Sequence, residues 1–236
     1  ISVQGGTAVN WSPTSTFLEN VVYNALNSMG APLDIKVDKH GFYPKGGGKI
    51  IQYTKPVKSL KPITPLELEI KKVKGISLSG RLPKHIARRQ ANSSRKILDT
   101  NGLESEIEYS ALTPVPLSLG SLICLWVNEK KIYLGADNIG AKGKPAEKVG
   151  KEAATRLIKE IKTNAQVDRH TTDHLILPTS LADGTSIFKT SQITLHTITT
   201  IEVAKLFTEA KFTVKGKIGE PGTIKIQGIK LNRENK

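Results

Sequence analysis

The sequence predicts an α/β (α+β) protein in which helices pack on mixed sheets and a small α/β domain interrupts a larger body. Three observations carry that expectation. The first 54 residues run in the order β-α-β-β, a unit that lays a helix on one face of a mixed sheet. Residues 74–163 follow as β-α-β-β-β-α, a stretch of roughly 90 residues, long enough to form a small domain. Helix and strand signals like the first then return. The chain therefore divides into 1–73, the first part of a larger body; 74–163, an insertion; and 164–236, the rest of the body. The two flanking parts share a helix-then-two-strands order, which points to internal repetition.

Each element has a local reason. ISVQGG at residues 1–6 reads as an edge strand entering a turn. Residues 13–29 carry Phe17, Leu18, Val21, Val22, Ala25 and Leu26 at helical spacing. Ser12 is placed as the N-cap, Pro13 stands where a missing N–H costs nothing, and Gly30 is the stop. Alternation at Leu33, Ile35 and Val37 predicts a strand, and residues 49–53 another. Pro56, Pro62 and Pro65 punctuate the connection to a predicted strand at 66–70. In the insertion, strands are expected at 76–79, 104–109, 122–127 and 131–134, with helices at 83–98 and 145–161. Beyond it come helix 173–181, strand 186–189, a helix from 196 or 197 to about 209, and strands 212–214 and 223–227.

Composition excludes several classes. With 38% hydrophobic and 24% charged residues the chain is globular rather than disordered. No apolar run reaches the roughly 18–20 residues that span a bilayer. The single cysteine, Cys124, lies in the apolar run SLICLWV and reads as a small core residue. There is no G-x-x-x-x-G-K-[ST] loop, no H-E-x-x-H and no cysteine pair for zinc. The chain opens without a methionine or a signal peptide, in what reads as a strand, so an upstream segment or a companion chain is expected. A net charge of +14 favours a polyanionic partner.

Four segments could carry chemistry. In GFYPKGGG (41–48) three glycines let the backbone approach a ligand, with Phe42, Tyr43, Pro44 and Lys45 beside them; the same residues also suit an elaborate turn. Residues 80–96 hold six Lys or Arg and no acid. Arg81, Lys84, Arg88 and Arg95 fall near one helical stripe, with Ile86 and Leu98 facing inward; this is either a phosphate track or a solvated face. In DHLILPTSLADG (173–184), Leu175, Ile176, Leu177 and Leu181 anchor a helix that Asp173 and His174 begin. His196, in SQITLHTITT, stands at a strand-to-helix junction, where helix N–H groups welcome phosphate and imidazole can hold a phosphoryl or nucleotidyl group.

Taken together, HGFYPKGGG (40–48), RLPKHIARR (81–89), DHLILPTSLADG (173–184) and LHTITTIEVAKLF (195–207), in that order, closely resemble the RNA 3′-terminal phosphate cyclases. The resemblance covers essentially the whole chain. It implies a body of repeated βαβαββ-type units with an inserted α/β domain, and a cytoplasmic enzyme. The implied reaction uses ATP and a divalent metal (Mg2+ or Mn2+) to convert an RNA 3′-phosphate into a 2′,3′-cyclic phosphate through a covalent histidine–AMP. His196 aligns with the family's nucleophile. Phe42, Tyr43 and Pro44 are implied in the nucleotide pocket, with Asp173. His170 falls where family members place a tyrosine against the base, and His174 where glutamine is common. Family members carry about one further repeat before the segment matching ISVQGGT, with metal- and phosphate-binding residues on it. A catalytically inactive, cyclase-like RNA-binding protein of ribosome assembly is the alternative.

Overall fold

The computed structural model describes residues 1–64, 70, 72–127, 129 and 131–231. The strand expected at 66–70 falls almost wholly outside them. Strand β1 (Ser2–Gly5) leads to a helical stretch: α1 (Ser15–Phe17), a π-helical turn (Leu18–Val22) and α2 (Tyr23–Ser28). Strands β2 (Leu33–Lys39) and β3 (Gly48–Thr54) follow and complete an antiparallel sheet of order β1-β3-β2. The helix starts two residues later than expected. Its N-cap is Thr14, whose hydroxyl accepts the Phe17 N–H, whereas Ser12 and Pro13 lie before it.

The middle of the chain builds a four-stranded sheet of order β5-β4-β6-β7. Its elements are β4 (Lys72–Gly80), α3 (Lys84–Thr100), β5 (Glu104–Ala111), β6 (Gly120–Val127), β7 (Gly135–Ile139) and α4 (Ala146–Lys162). β4 and β5 are parallel through the α3 crossover; the other pairings are antiparallel. The strand expected at 131–134 is instead β7, which begins at Gly135. The apolar residues Ile132 and Leu134 are core-facing in the lead-in, where only Tyr133 makes an isolated bridge, to Val167.

The apolar run on β6 is explained by burial on both faces. Ile123, Leu125 and Val127 join Ala91, Leu98, Val149, Ala153 and Leu157 under α3 and α4. Cys124 faces the other way, into the core of the body with Phe17, Val21 and Tyr133. α3 keeps Ala87, Gln90, Ala91, Ser94 and Leu98 inward, while Ile86 is only half-buried.

The chain then returns to the body with α5 (Arg169–Leu181), β8 (Thr185–Thr190), α6 (Leu195–Phe207), β9 (Lys211–Lys215) and β10 (Gly222–Gln227). The last sheet has the order β8-β10-β9, all antiparallel. This is the same strand-helix-strand-strand connectivity as β1-β3-β2, so the repetition hinted at by the sequence is present as topology. Phe188, Ile201, Ile224 and Ile226 share one core with Leu175 and Ile176 of α5 and Phe17 and Val21 of the first unit.

α5 begins four residues earlier than expected. Its cap is Asp168, which is fully buried and accepts the N–H groups of His170 and Thr171, at 2.9 and 2.8 Å. Asp173 and His174 thus lie in its second turn, not at its start, and the stabilising role of an acid at the helix N-terminus falls to Asp168. Leu175 and Ile176 are buried as expected, but Leu177 is half exposed.

Candidate active site

His196 is the second residue of α6 and is exposed. Thr194 caps the helix in a reciprocal arrangement. Its hydroxyl accepts the Thr197 N–H at 3.0 Å, and Thr197 Oγ1 reaches back to the Thr194 N–H. The N–H groups of Leu195 and His196, in the first turn, have no intrahelical acceptor, so the positive end of the helix is open beside the imidazole.

Asp173 joins this terminus to α5. Thr197 Oγ1 donates to Asp173 Oδ1 at 2.6 Å, with Thr194 Oγ1 at 3.4 Å from the same oxygen. Burial pushes the Asp173 carboxyl up from its ordinary range. The Thr197 hydroxyl and the nearby imidazoles of His196 and His170 pull it back. One carboxylate therefore sits in the field of both histidines while fixing the cap of α6. His170 and His174 lie one turn apart on α5, and both are exposed. Desolvation on its protein-facing side, then the Arg169 cation, lower the pKa of His170. Desolvation also lowers that of His174. Arg169 Nε donates to His170 Nε2 at 3.2 Å and its Nη1 to Gln192 Oε1 at 3.2 Å, tying α5 to the strand end before α6.

Under this surface, Asp168 links α5 to the four-stranded sheet. Its Oδ2 accepts the Gly135 N–H at 3.1 Å and the Thr171 hydroxyl at 2.9 Å. Burial pushes its carboxyl up to about 7, against the pull of the Thr171 N–H. A neighbouring carboxylate, Asp137 of β7, accepts the Thr14 N–H at 3.0 Å and contributes to the field at His170. Beside Asp137 an open cleft of about 380 Å3 is lined by Asn10, Trp11, Ser12, Asn138 and Arg156, among others. Trp11 holds a positive φ of 67° and is fully exposed.

The structure thus brings together His170, Asp173 and His196, with His174 a turn away. The FYP segment is placed differently. Phe42 is 3% exposed and packs among Ala8, Leu78 and Leu122, close enough to Gly120 that a side chain there would strike its ring. Its ring is a packing element and offers no free face to a base. Tyr43 and Pro44 are exposed within a turn that the Lys45 N–H fastens to Ser118 Oγ at 3.1 Å. Asp168, Asp137 and the Thr194–Thr197 pair escaped the sequence reading. A signal for the first existed in D-x-x-T at 168–171, an acid three residues before a hydroxyl at the head of an apolar helix.

The chain belongs to a known class, the RNA 3′-terminal phosphate cyclase family, whose profile matches residues 1–214. Among curated relatives it is 38% identical to an RNA 3′-terminal phosphate cyclase of Pyrobaculum aerophilum, over 99% of this chain and 67% of the relative. It is 41% identical to that of Desulfurococcus amylolyticus, over 96% of this chain and 66% of the relative. The cyclase of Methanothermobacter thermautotrophicus is 40% identical over 96% and 66%. The chain therefore spans about two thirds of the length of these relatives. Among the described residues, no helix is long and apolar enough to cross a membrane.

Proposed function

We propose that the chain supplies the nucleophile of an ATP-dependent RNA 3′-phosphate cyclase, with His196 as acceptor of the adenylyl group. The observation that carries the reading is the placement of His196: an exposed imidazole at the open end of a thirteen-residue helix whose cap is held by Asp173. A ring nitrogen attacks the α-phosphorus of ATP, a P–N bond forms, and the bond to pyrophosphate breaks. An oxygen of the RNA 3′-phosphate then takes the adenylyl group and restores the imidazole. The neighbouring 2′-hydroxyl, losing its proton, closes on the 3′-phosphorus and expels AMP. The open N–H groups of Leu195 and His196 suit the negative charge that builds at phosphorus, and Asp173 favours the imidazolium-like nitrogen. His170 presents a ring for the base, with His174, Tyr43 and Pro44 as further exposed candidates.

Among the described residues, no three His, Cys, Asp or Glu side chains cluster so as to hold an ion. These residues do not fit a metal site by themselves.

The test is to incubate the complete protein with α-labelled ATP and divalent cation. Acid-labile label on the protein, absent in His196→Ala, is the expected result. Label retained in that variant would move the nucleophile elsewhere, and no label on either protein would favour the RNA-binding alternative. RNA ending in a 3′-phosphate should discharge the label, and the same RNA ending in a 3′-hydroxyl should not.

A further inference from the structure

The inserted sheet carries a charged edge that the adenylyl-transfer site does not use. β4 and β7 both run antiparallel to β6, so the helices that follow them start along the same rim, the edge formed by the strand ends. Hydrogen bonds from Ser93 Oγ to Glu147 O and from Ser94 Oγ to Gly150 O fasten the middle of α3 to the first turns of α4. Arg81, Lys84 and Arg88 stand exposed at the start of α3, and Lys142 and Lys148 flank the start of α4. Lys84 and Arg88 are one turn apart and share a face.

The sequence segments at this edge, 80–88, 109–120 and 139–146, contain no Asp or Glu. Glu147, next in line, is held by Arg89, with 2.6 Å from Nε to Oε1. Arg95, expected in the same stripe, is turned away: it donates to Ile107 O and to Asn92 Oδ1. Glu108, exposed beside Tyr109, alternates onto the opposite face of β5, so the unpaired charges on the Tyr109 face are of one sign.

Two further observations distinguish this edge from an ordinary basic surface. Lys84 Nζ lies 5.4 Å from the centre of the Tyr109 ring, which is itself 36% exposed, so an aromatic face and a cation are set side by side. Arg81 is held with a positive φ of 54°, a conformation a non-glycine residue adopts at a cost, while its Nη1 donates to Leu117 O at 3.1 Å. Its guanidinium is therefore fixed at the edge. Cations that track a backbone and aromatic rings that stack bases form the recurrent surface for single-stranded nucleic acid.

We propose that this edge of the inserted domain binds the body of a single-stranded RNA through its phosphates, with Tyr109 stacking a base. The inference rests on the cyclase reading for the identity of the strand. It assigns the insertion the work of retaining RNA, separate from the chemistry at His196.

Fluorescence anisotropy on a 5′-labelled RNA of about twenty nucleotides, titrated with the complete protein at several salt concentrations, tests it. Replacing Arg81, Lys84 and Arg88 together by Ala should raise Kd at least tenfold. It should also lower the slope of log K against log salt by about 2, at roughly 0.7 per lost single-strand contact. Replacing Lys211, Lys215 and Lys225, exposed on β9 and β10, removes the same charge elsewhere and should change Kd less than about twofold. Tyr109→Ala should weaken binding about fivefold or more and leave the salt slope intact.

Wild-type binding by the edge variant, or an equal loss in the control variant, would overturn the proposal. Labelling from ATP is read in parallel and should survive the edge substitutions, while His196→Ala should keep its RNA affinity. If the wild type takes no label but the edge variant still loses RNA, the catalytic reading fails and this one stands.

Discussion

The units β1–β3 and β8–β10 have one topology, and their helices start in the same way, yet only one presents an exposed histidine there. Thr14 caps the first helix and Thr194 the second, each accepting the N–H three residues on. Each cap also meets a carboxylate: Asp137 takes the Thr14 N–H, and Asp173 takes the Thr197 hydroxyl. Beyond the caps the two diverge. Thr16 and Phe17 are buried in the core, whereas the matching positions, His196 and Thr197, are respectively exposed and hydrogen-bonded to Asp173. The repeated unit supplies a helix end in both places, and only in the second does that end face solvent with a carboxylate behind it.

The largest effect expected from this contrast is at Phe17. Phe17→Ala empties a core site and should cost about 3–5 kcal/mol in urea unfolding. The matching substitution in the second unit removes a hydroxyl and not a ring, so it should cost much less. Equal costs would mean that the two helix starts are not packed differently.

Next is Asp168→Asn, expected to cost about 3 kcal/mol. The amide retains one acceptor where the carboxylate serves Gly135, His170, Thr171 and the Thr171 hydroxyl. A loss below about 1 kcal/mol would show that α5 is not held through this residue.

A smaller, pH-dependent effect belongs to the first unit. Burial pushes His40, beside Thr7, down from 6.5 to about 4. The unfolded chain therefore binds the proton more readily between those values. The stabilisation is complete above about pH 6.5 and is lost as pH falls towards 4, with about 2 kcal/mol gone by about pH 5. Unfolding midpoints at pH 7 and pH 5 for the wild type and His40→Gln read the difference directly. An unchanged pH dependence in the variant would place the proton elsewhere.

The parts of this fold that were legible in the sequence are those governed by periodicity. β6, α3 and α4 were found within a few residues because their apolar positions repeat. Where structure is set by polar contacts between distant residues, the sequence misplaced it. Asp168 starts α5 through neighbours but is fixed by Gly135, thirty-three positions away, and no local pattern announces that. The lead-in 131–134 has the apolar alternation of a strand, yet its burial serves a connection, and the pairing begins at Gly135. His196 and Asp173 were singled out by ordered motifs, whereas their coupling through Thr197 is a tertiary fact. Phe42 shows the converse: an aromatic residue beside glycines suggested a ligand face, and the structure packs its ring against Gly120.

The smallest predicted effect is the most informative about that coupling. Thr197→Val keeps the shape of the side chain and removes the hydroxyl that donates to Asp173 and accepts from the Thr194 N–H. Stability should fall by about 1.5–2 kcal/mol, the usual range for a hydrogen bond to a charged group. Thr197→Ser should restore most of it. If His196 takes the adenylyl group as proposed and Asp173 serves only to hold α6, labelling by ATP should stay near the wild-type rate in both folded variants. If the pin also orients the open end of the helix towards phosphorus, the Val variant should label about tenfold more slowly with little change in the ATP concentration it needs, and the Ser variant should recover the rate. The second outcome is expected, because a carboxylate fastened to the cap fixes the direction of the His196 backbone, and the first unit, whose cap is held as firmly, has only Thr16 to direct.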